Sequence, residues 1–194
     1  MMNGQMVDNE RRTLILATSA VGGAGVVAMA VPFVGSLAPS EKAKAAGAPV
    51  EADIGKLKEG EKMIVKWRGK PVWILRRTKE MLASLETVKD LLADPESEKS
   101  VQPTYAKNAA RAQKDEYLVV VGICTHLGCS PSDRPADGNW KGGFLCPCHG
   151  SQFDFAGRVF KSQPAPTNLE IPPYKFLSDT RILIGDDSGA SREA

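Results

Sequence analysis

Gly122–Phe153 reads GICTHLGCSPSDRPADGNWKGGFLCPCHGSQF, and this stretch holds all four cysteines and both histidines of a 194-residue chain. Thiols and imidazoles that serve packing alone scatter along a sequence. Six of them gathered in one Gly- and Pro-punctuated segment mark a site. Two sub-motifs carry them: Cys124-Thr-His126-Leu-Gly-Cys129 and Cys146-Pro-Cys148-His149-Gly-Ser151, with sixteen residues between Cys129 and Cys146. Two hairpin loops of this kind could present Cys-x-His and Cys-x-x-His toward one centre, leaving Cys129 and Cys148 to face each other.

Several chemistries draw on such a set. A structural zinc ion takes Cys₂His₂ in a tetrahedron and leaves two thiols spare. A dithiol redox pair at Cys146-x-Cys148 leaves both histidines idle, and two independent disulfides do the same. A [2Fe–2S] cluster with two Cys on one iron and two His on the other, plus a disulfide between the loops, employs all six.

Composition bounds the rest. The chain is 42% hydrophobic with a net charge of +2, and its basic residues are interleaved with acids, so no phosphate-tracking stripe exists. Aromatics make up 6% and never alternate with basic residues as a base-stacking surface requires. Nucleic acid is not an expected partner.

Outward from the motifs, the pattern is that of short strands. EYLVVVGI (116–123) runs straight into Cys124, and GRVF (157–160), LEIPPYKFL (169–177) and RILIGDD (181–187) follow between Gly and Pro breaks. KMIVKWRGKPVWILRRT (62–78) reads as a hairpin turning at Arg-Gly-Lys-Pro. Lys79–Asp94 places apolar residues at 81, 82, 85, 88, 91 and 92, one face of a helix that Asp94-Pro95 should end. The expected fold class is mainly β: an antiparallel head domain with one helix insertion.

The N-terminal segment differs. Thr13–Val34 is 22 residues without a charge. At ~1.5 Å per residue it spans roughly 33 Å, enough for a hydrocarbon core of about 30 Å. That exceeds the ~7–15 apolar residues of a cleavable signal, so a retained transmembrane helix is expected, although Ala43-Lys44-Ala45 imitates a cleavage site. Arg11-Arg12 before it resembles a twin-arginine export signal or else anchors the cytoplasmic end. The Ala-rich 35–50 is expected as a flexible tether, with Ser36–Pro49 reaching ~46 Å extended but ~21 Å if helical.

C-T-H-L-G-C followed by C-P-C-H-G-S resembles the Rieske iron–sulfur proteins of cytochrome bc complexes. The resemblance covers nearly the whole chain: paired arginines (1–12), single anchor (13–34), tether (35–50), and a β head (51–194) whose loops of about 122–166 would form a small cluster-binding subdomain. QPAPTNLEIPPY (163–174) resembles the family's shielding proline loop. Rieske centres of ring-hydroxylating dioxygenases lack the two extra cysteines.

The resemblance implies one [2Fe–2S] cluster, with Cys124 and Cys146 on the inner iron, His126 and His149 on the outer iron, and a Cys129–Cys148 disulfide. It implies that Ser151 hydrogen-bonds a cluster sulfur and that His149 contacts the quinol. Leu127 and Pro164-Ala165-Pro166 would keep the cluster dry, Leu127 being equally readable as plain core. It departs from the family at Phe153, where many members carry Tyr. The function implied is that of the Rieske subunit of a bacterial cytochrome bc1 complex. Such a subunit takes one electron from quinol, with proton release, and passes it to cytochrome c1, while cytochrome b receives the second. The implied setting is a dimeric complex in the inner membrane with the head in the periplasm. Export of a folded domain suits a cluster assembled inside and a disulfide formed outside. The rivals are the small Rieske subunit of an arsenite oxidase and, from another class, a zinc-stabilised binding module.

Overall fold

A computed structural model describes residues 3–189 and divides the chain into two compact units at Ala45/Ala46. Residues 1–2 of the expected cytoplasmic segment and 190–194 of the expected head lie outside the described residues. In the first unit, helix α1 (Asn3–Ser36) overruns the expected span at both ends. Within its stretch Asn9–Ser36 an 18-residue window has a mean hydropathy of 2.1, so the helix is long and apolar enough to cross a membrane. Leu14, Ile15, Val21, Val26, Met29 and Phe33 all lie exposed around it, a pattern suited to lipid rather than water. A six-residue helix, α2 (Glu41–Ala46), occupies the middle of the expected tether. Ser40 caps it by accepting the Ala43 N–H at 3.2 Å, and Lys44 pairs with Glu41 at 2.7 Å.

The second unit holds three antiparallel sheets of three strands. β1 (Val50–Asp53), β9 (Arg181–Ile184) and β8 (Tyr174–Ser178) form one. The base sheet comprises β2 (Lys62–Trp67), β3 (Lys70–Arg76) and β4 (Tyr117–Val121). The small sheet comprises β5 (Ser132–Arg134), β6 (Gly143–Leu145) and β7 (Gln152–Phe153). The β2–β3 turn is tighter than expected. Only Arg68 (φ 49°) and Gly69 (φ 77°) form it, the doubly left-handed turn that matches strand twist, while Lys70 and Pro71 belong to β3. Pro71 gives up no donor that the site needs, and its carbonyl accepts the Gly122 N–H at 2.8 Å.

Three expectations are corrected. Helix α3 (Lys79–Thr87), capped by Thr78, stops well before Asp94. The adjacent β-branched Thr87 and Val88 weaken the helix there, and a single 3₁₀ turn, Lys89–Leu91, swings Leu92 into the core while Leu91 faces solvent. GRVF forms only isolated bridges, Val159 to Phe153 and Phe160 to Leu92, because the Asp154 carboxylate folds 154–158 into a turn by accepting the Ala156 and Arg158 N–H groups. Within LEIPPYKFL the strand begins at Tyr174, since Pro172 and Pro173 carry no N–H for a ladder.

The core under the site is made by Trp73, Leu75, Leu118–Val121, Phe144, Phe153 and Ile171, all essentially dry. Beside it lie three buried guanidiniums. Arg158 pairs with Asp154 at 2.7 Å, while Arg77 and Arg111 bond the carbonyls of Phe155 and Ala156. Burial holds Arg77 and Arg111 down to about 10. Together they lock the turn that follows the second motif.

Candidate metal centre

Both motifs fold into the same turn. After β4, the Cys124 N–H donates to the Cys129 carbonyl at 2.7 Å and the Gly128 N–H to the Cys124 carbonyl at 3.1 Å. Between β6 and β7, the Cys146 N–H donates to the Ser151 carbonyl at 2.8 Å and the Gly150 N–H to the Cys146 carbonyl at 2.9 Å. Gly128 (φ 84°) and Gly150 (φ 77°) occupy the left-handed position that closes each turn, which other residues fill only with strain. This shared geometry sets an inner thiol at the start of each loop and aims the tips at solvent. Within the turn His126 is the third residue and His149 the fourth, so the two loops supply imidazoles from different positions.

Cys124 and Cys146 are free and buried, each 2% exposed. Burial pushes the Cys124 thiol up, and the neighbouring Cys146 adds to this, whereas the His126 N–H and the Ser151 hydroxyl oppose it by hydrogen-bonding the sulfur. A dry pair of thiols becomes a pair of thiolates only with a cation between them. The His126 and His149 rings lie 4.7 Å apart, centroid to centroid, with planes at 84°. His126 Nδ1 is buried and has no hydrogen-bond partner among the described residues, so it points where a metal would satisfy it. Two paired inner thiols, an orphaned imidazole nitrogen and a second imidazole beside it fit a Cys₂His₂ iron cluster. Cys129 and Cys148 are joined as a disulfide, 19 residues apart in sequence. Their sulfurs lie within 4.8 Å of the Cys146 sulfur, but a disulfide has no thiolate to give, so that trio is not the ligand set.

Gln163–Tyr174 is pinned to both loops. Thr125 Oγ1 donates to the Thr167 carbonyl at 2.7 Å, and Ser151 Oγ accepts the Ala165 N–H at 3.0 Å. Ala165 is buried between the exposed Pro164 and Pro166. Leu127 is 72% exposed at the tip of the first loop, which removes its reading as plain core. His149 is also exposed, and His126 half-buried. Thr125, with a polar side chain inside the first motif, escaped sequence reasoning because nothing local distinguishes a hydroxyl that pins a distant loop.

Residues 96–175 match the Rieske [2Fe-2S] domain, and residues 1–40 match the segment described as "Ubiquitinol-cytochrome C reductase Fe-S subunit TAT signal". The ubiquinol-cytochrome c reductase iron-sulfur subunit of Allochromatium vinosum is 57% identical over 98% of this chain and 95% of its own. The chain belongs to that family. The Blastochloris viridis member is 47% identical over 90% of this chain and 92% of its own. Among solved structures, a chain of a hyperthermophilic respiratory Complex III is 28% identical, covering 88% of this chain and 98% of that one, with a TM-score of 0.47. As in the Rieske family generally, the cofactor is one [2Fe–2S] cluster. Neither an arsenite oxidase subunit nor a zinc module is favoured by these relatives.

Proposed function

We propose that this chain is the electron-carrying subunit of a ubiquinol–cytochrome c reductase. It takes one electron and one proton from a quinol and delivers the electron to cytochrome c1, the second electron going to cytochrome b. The observation that carries this is the 57% identity, end to end, to a protein of that name. Cys124 and Cys146 would hold one iron as thiolates, and His126, through Nδ1, and His149 would hold the other. When bound, a cluster with imidazole ligands accepts one electron at a raised potential.

The chain's own residues do the rest. His149, on the exposed tip, offers its solvent-facing ring nitrogen to the quinol hydroxyl, accepts that hydrogen bond and takes the proton. Leu127, Pro164 and Pro166 form an apolar rim that excludes water around the contact. Ser151 is fully buried with its oxygen on the Ala165 N–H, and so ties the second loop to the proline loop beside the inner thiols. The disulfide ties the tips together; by loop-closure arguments it contributes roughly 3 kcal/mol. Arg11-Arg12 and α1 would export and anchor the subunit in a bacterial inner membrane as part of a dimeric complex, with the head, 51–194, in the periplasm.

Detergent-solubilised membranes expressing a tagged chain should yield cytochromes b and c1 in the same fraction, with a Rieske-type electron paramagnetic resonance signal after ascorbate reduction. His149→Cys keeps a ligand but adds negative charge, and the expected result is a much lower midpoint potential. Full quinol oxidation by this variant would remove His149 from the proposed role.

A further inference from the structure

We infer that Lys62 is a positioning residue for the cluster, clamping the seats of both ligand loops independently of the Cys129–Cys148 bond. The inference rests on the ligand assignment proposed above. Lys62 lies on the edge strand β2 opposite Leu75, with Trp73 its diagonal neighbour on the same face. Its ammonium sits 4.2 Å from the Trp73 ring centroid and 5.7 Å from that of Phe144. It donates to both carboxylate oxygens of Asp133 on β5, at 2.7 and 2.8 Å.

Each of these partners is the seat of something. Trp73 packs so tightly on Gly122 that a Cβ there would lie 2.1 Å from the indole, and Gly122 is two residues before Cys124. Phe144 is two residues before Cys146, packs at a tilt against Trp73 with ring centroids 5.2 Å apart, and stands opposite Asp133 in the small sheet. One cation therefore touches the support of the first loop, the support of the second, and the carboxylate of the strand that frames the second. Beside it the base sheet and small sheet do not pack continuously. A cleft of ≈ 240 Å³ opens there, lined by Gly60, Lys62, Leu75, Met81, Asp133 and Phe155 among others. Lys62 bridges that gap.

An ordinary exposed ion pair would hold little. This one is asymmetric: the Lys62 side chain is 16% exposed and that of Asp133 is 60%. The ammonium is drawn out of water onto two aromatic faces, where attraction to the rings is stronger than at a solvated site.

The test uses the full-length holoprotein in detergent, with Lys62→Met, Lys62→Arg and Asp133→Asn. The readouts are the midpoint potential with the disulfide intact, and the rate at which visible cluster absorbance decays once dithiothreitol has reduced the disulfide. Lys62→Met should retain a full cluster while the disulfide stands, with a shifted potential. After reduction it should lose the cluster at least tenfold faster than the parent, a difference of about 1.4 kcal/mol. Lys62→Arg, which keeps the cation, should decay at the parental rate. Asp133→Asn alters only a largely exposed side chain and leaves folding intact, so it carries the test even if Lys62→Met misfolds, and its decay should be several-fold faster. Parental decay rates and an unshifted potential in Lys62→Met and Asp133→Asn would overturn the inference. A parent protein without any Rieske signal would instead overturn the ligand assignment.

Discussion

At the scale of single residues, two buried side chains behind the second loop, Ser151 and Phe153, are placed to tune the cluster. The serine is fully buried with its oxygen on the Ala165 N–H, a contact the sequence does not announce, while its hydrogen bond to cluster sulfur is implied by the resemblance alone. Phe153 is fully buried on β7 opposite Phe144, so the place of a family tyrosine is taken here by a packed ring. Hydrogen bonds to cluster sulfur draw off electron density and favour the reduced, more negative state. Ser151→Ala should therefore lower the midpoint potential and Phe153→Tyr raise it, each by tens of millivolts, given ~59 mV per tenfold change for one electron. The opposing effect in Phe153→Tyr is a hydroxyl left without a partner in a dry core, which costs roughly 1–3 kcal/mol. Protein-film voltammetry on each variant decides. An intact cluster at an unchanged or lower potential in Phe153→Tyr would mean the position serves packing alone.

At the scale of elements, what the sequence revealed depended on whether the deciding forces were local. Strands β3 and β4 were readable because their apolar runs match their buried positions. The end of α3 was not, because the apolar spacing of Lys79–Asp94 continues unbroken past Thr87. Beyond the weakening by Thr87 and Val88, leaving the helix buries Leu92 and bridges it to Phe160, some seventy residues away in sequence. The proline loop was legible only by resemblance, because it has no ladder of its own and is held by hydrogen bonds at Thr125, Ser151 and Asn168. The α2 segment lies between these cases. Six residues with one cap and one exposed i,i+3 pair are marginal as an isolated helix. Such a segment can exchange a rise of ~1.5 Å per residue for one of ~3.3 Å and so alter the reach of the head. Prolines across Ala43–Ala48 abolish that exchange. They should slow cytochrome c reduction while the cluster's resonance spectrum stays the same. Unchanged turnover in steady-state assays would reduce the tether to a passive spacer.

At the scale of the whole head domain, the cluster site depends on a polar knot built far from it in sequence. Asp94 is buried and accepts the N–H groups of Glu98 and Lys99 at 2.8 and 3.1 Å and the Ser100 hydroxyl at 2.7 Å. Its carbonyl accepts from Asn168 Nδ2 at 2.9 Å, Ser100 Oγ accepts the Asn168 N–H at 3.0 Å, and Asn168 Oδ1 accepts the Val159 N–H at 2.9 Å. Asn168 lies in the proline loop directly after Ala165–Thr167, which Ser151 and Thr125 hold over the site, so the 94–100 turn anchors the middle of the loop. Burial works against ionisation of Asp94, but the Ser100 hydroxyl and the two N–H donors outweigh it and hold the carboxyl below its usual range. A carboxyl depressed in the folded state contributes stability above the ordinary carboxylate pKa of about 3.9, and that contribution is lost as pH falls through the folded value. The acid limb of the stability curve should therefore begin below about pH 4, with the proline loop loosening first. Asp94→Asn removes the charge at every pH. It should cost about 2–3 kcal/mol at neutral pH, lowering the melting temperature by roughly 5–10 °C. It should also flatten the dependence of melting on pH below about pH 4, because position 94 then has no proton to gain. Calorimetric scans of parent and variant across that range check both halves, and an Asp94→Asn protein that melts in parallel with its parent at every pH would show that the knot is held by Asn168 and Ser100 without the charge.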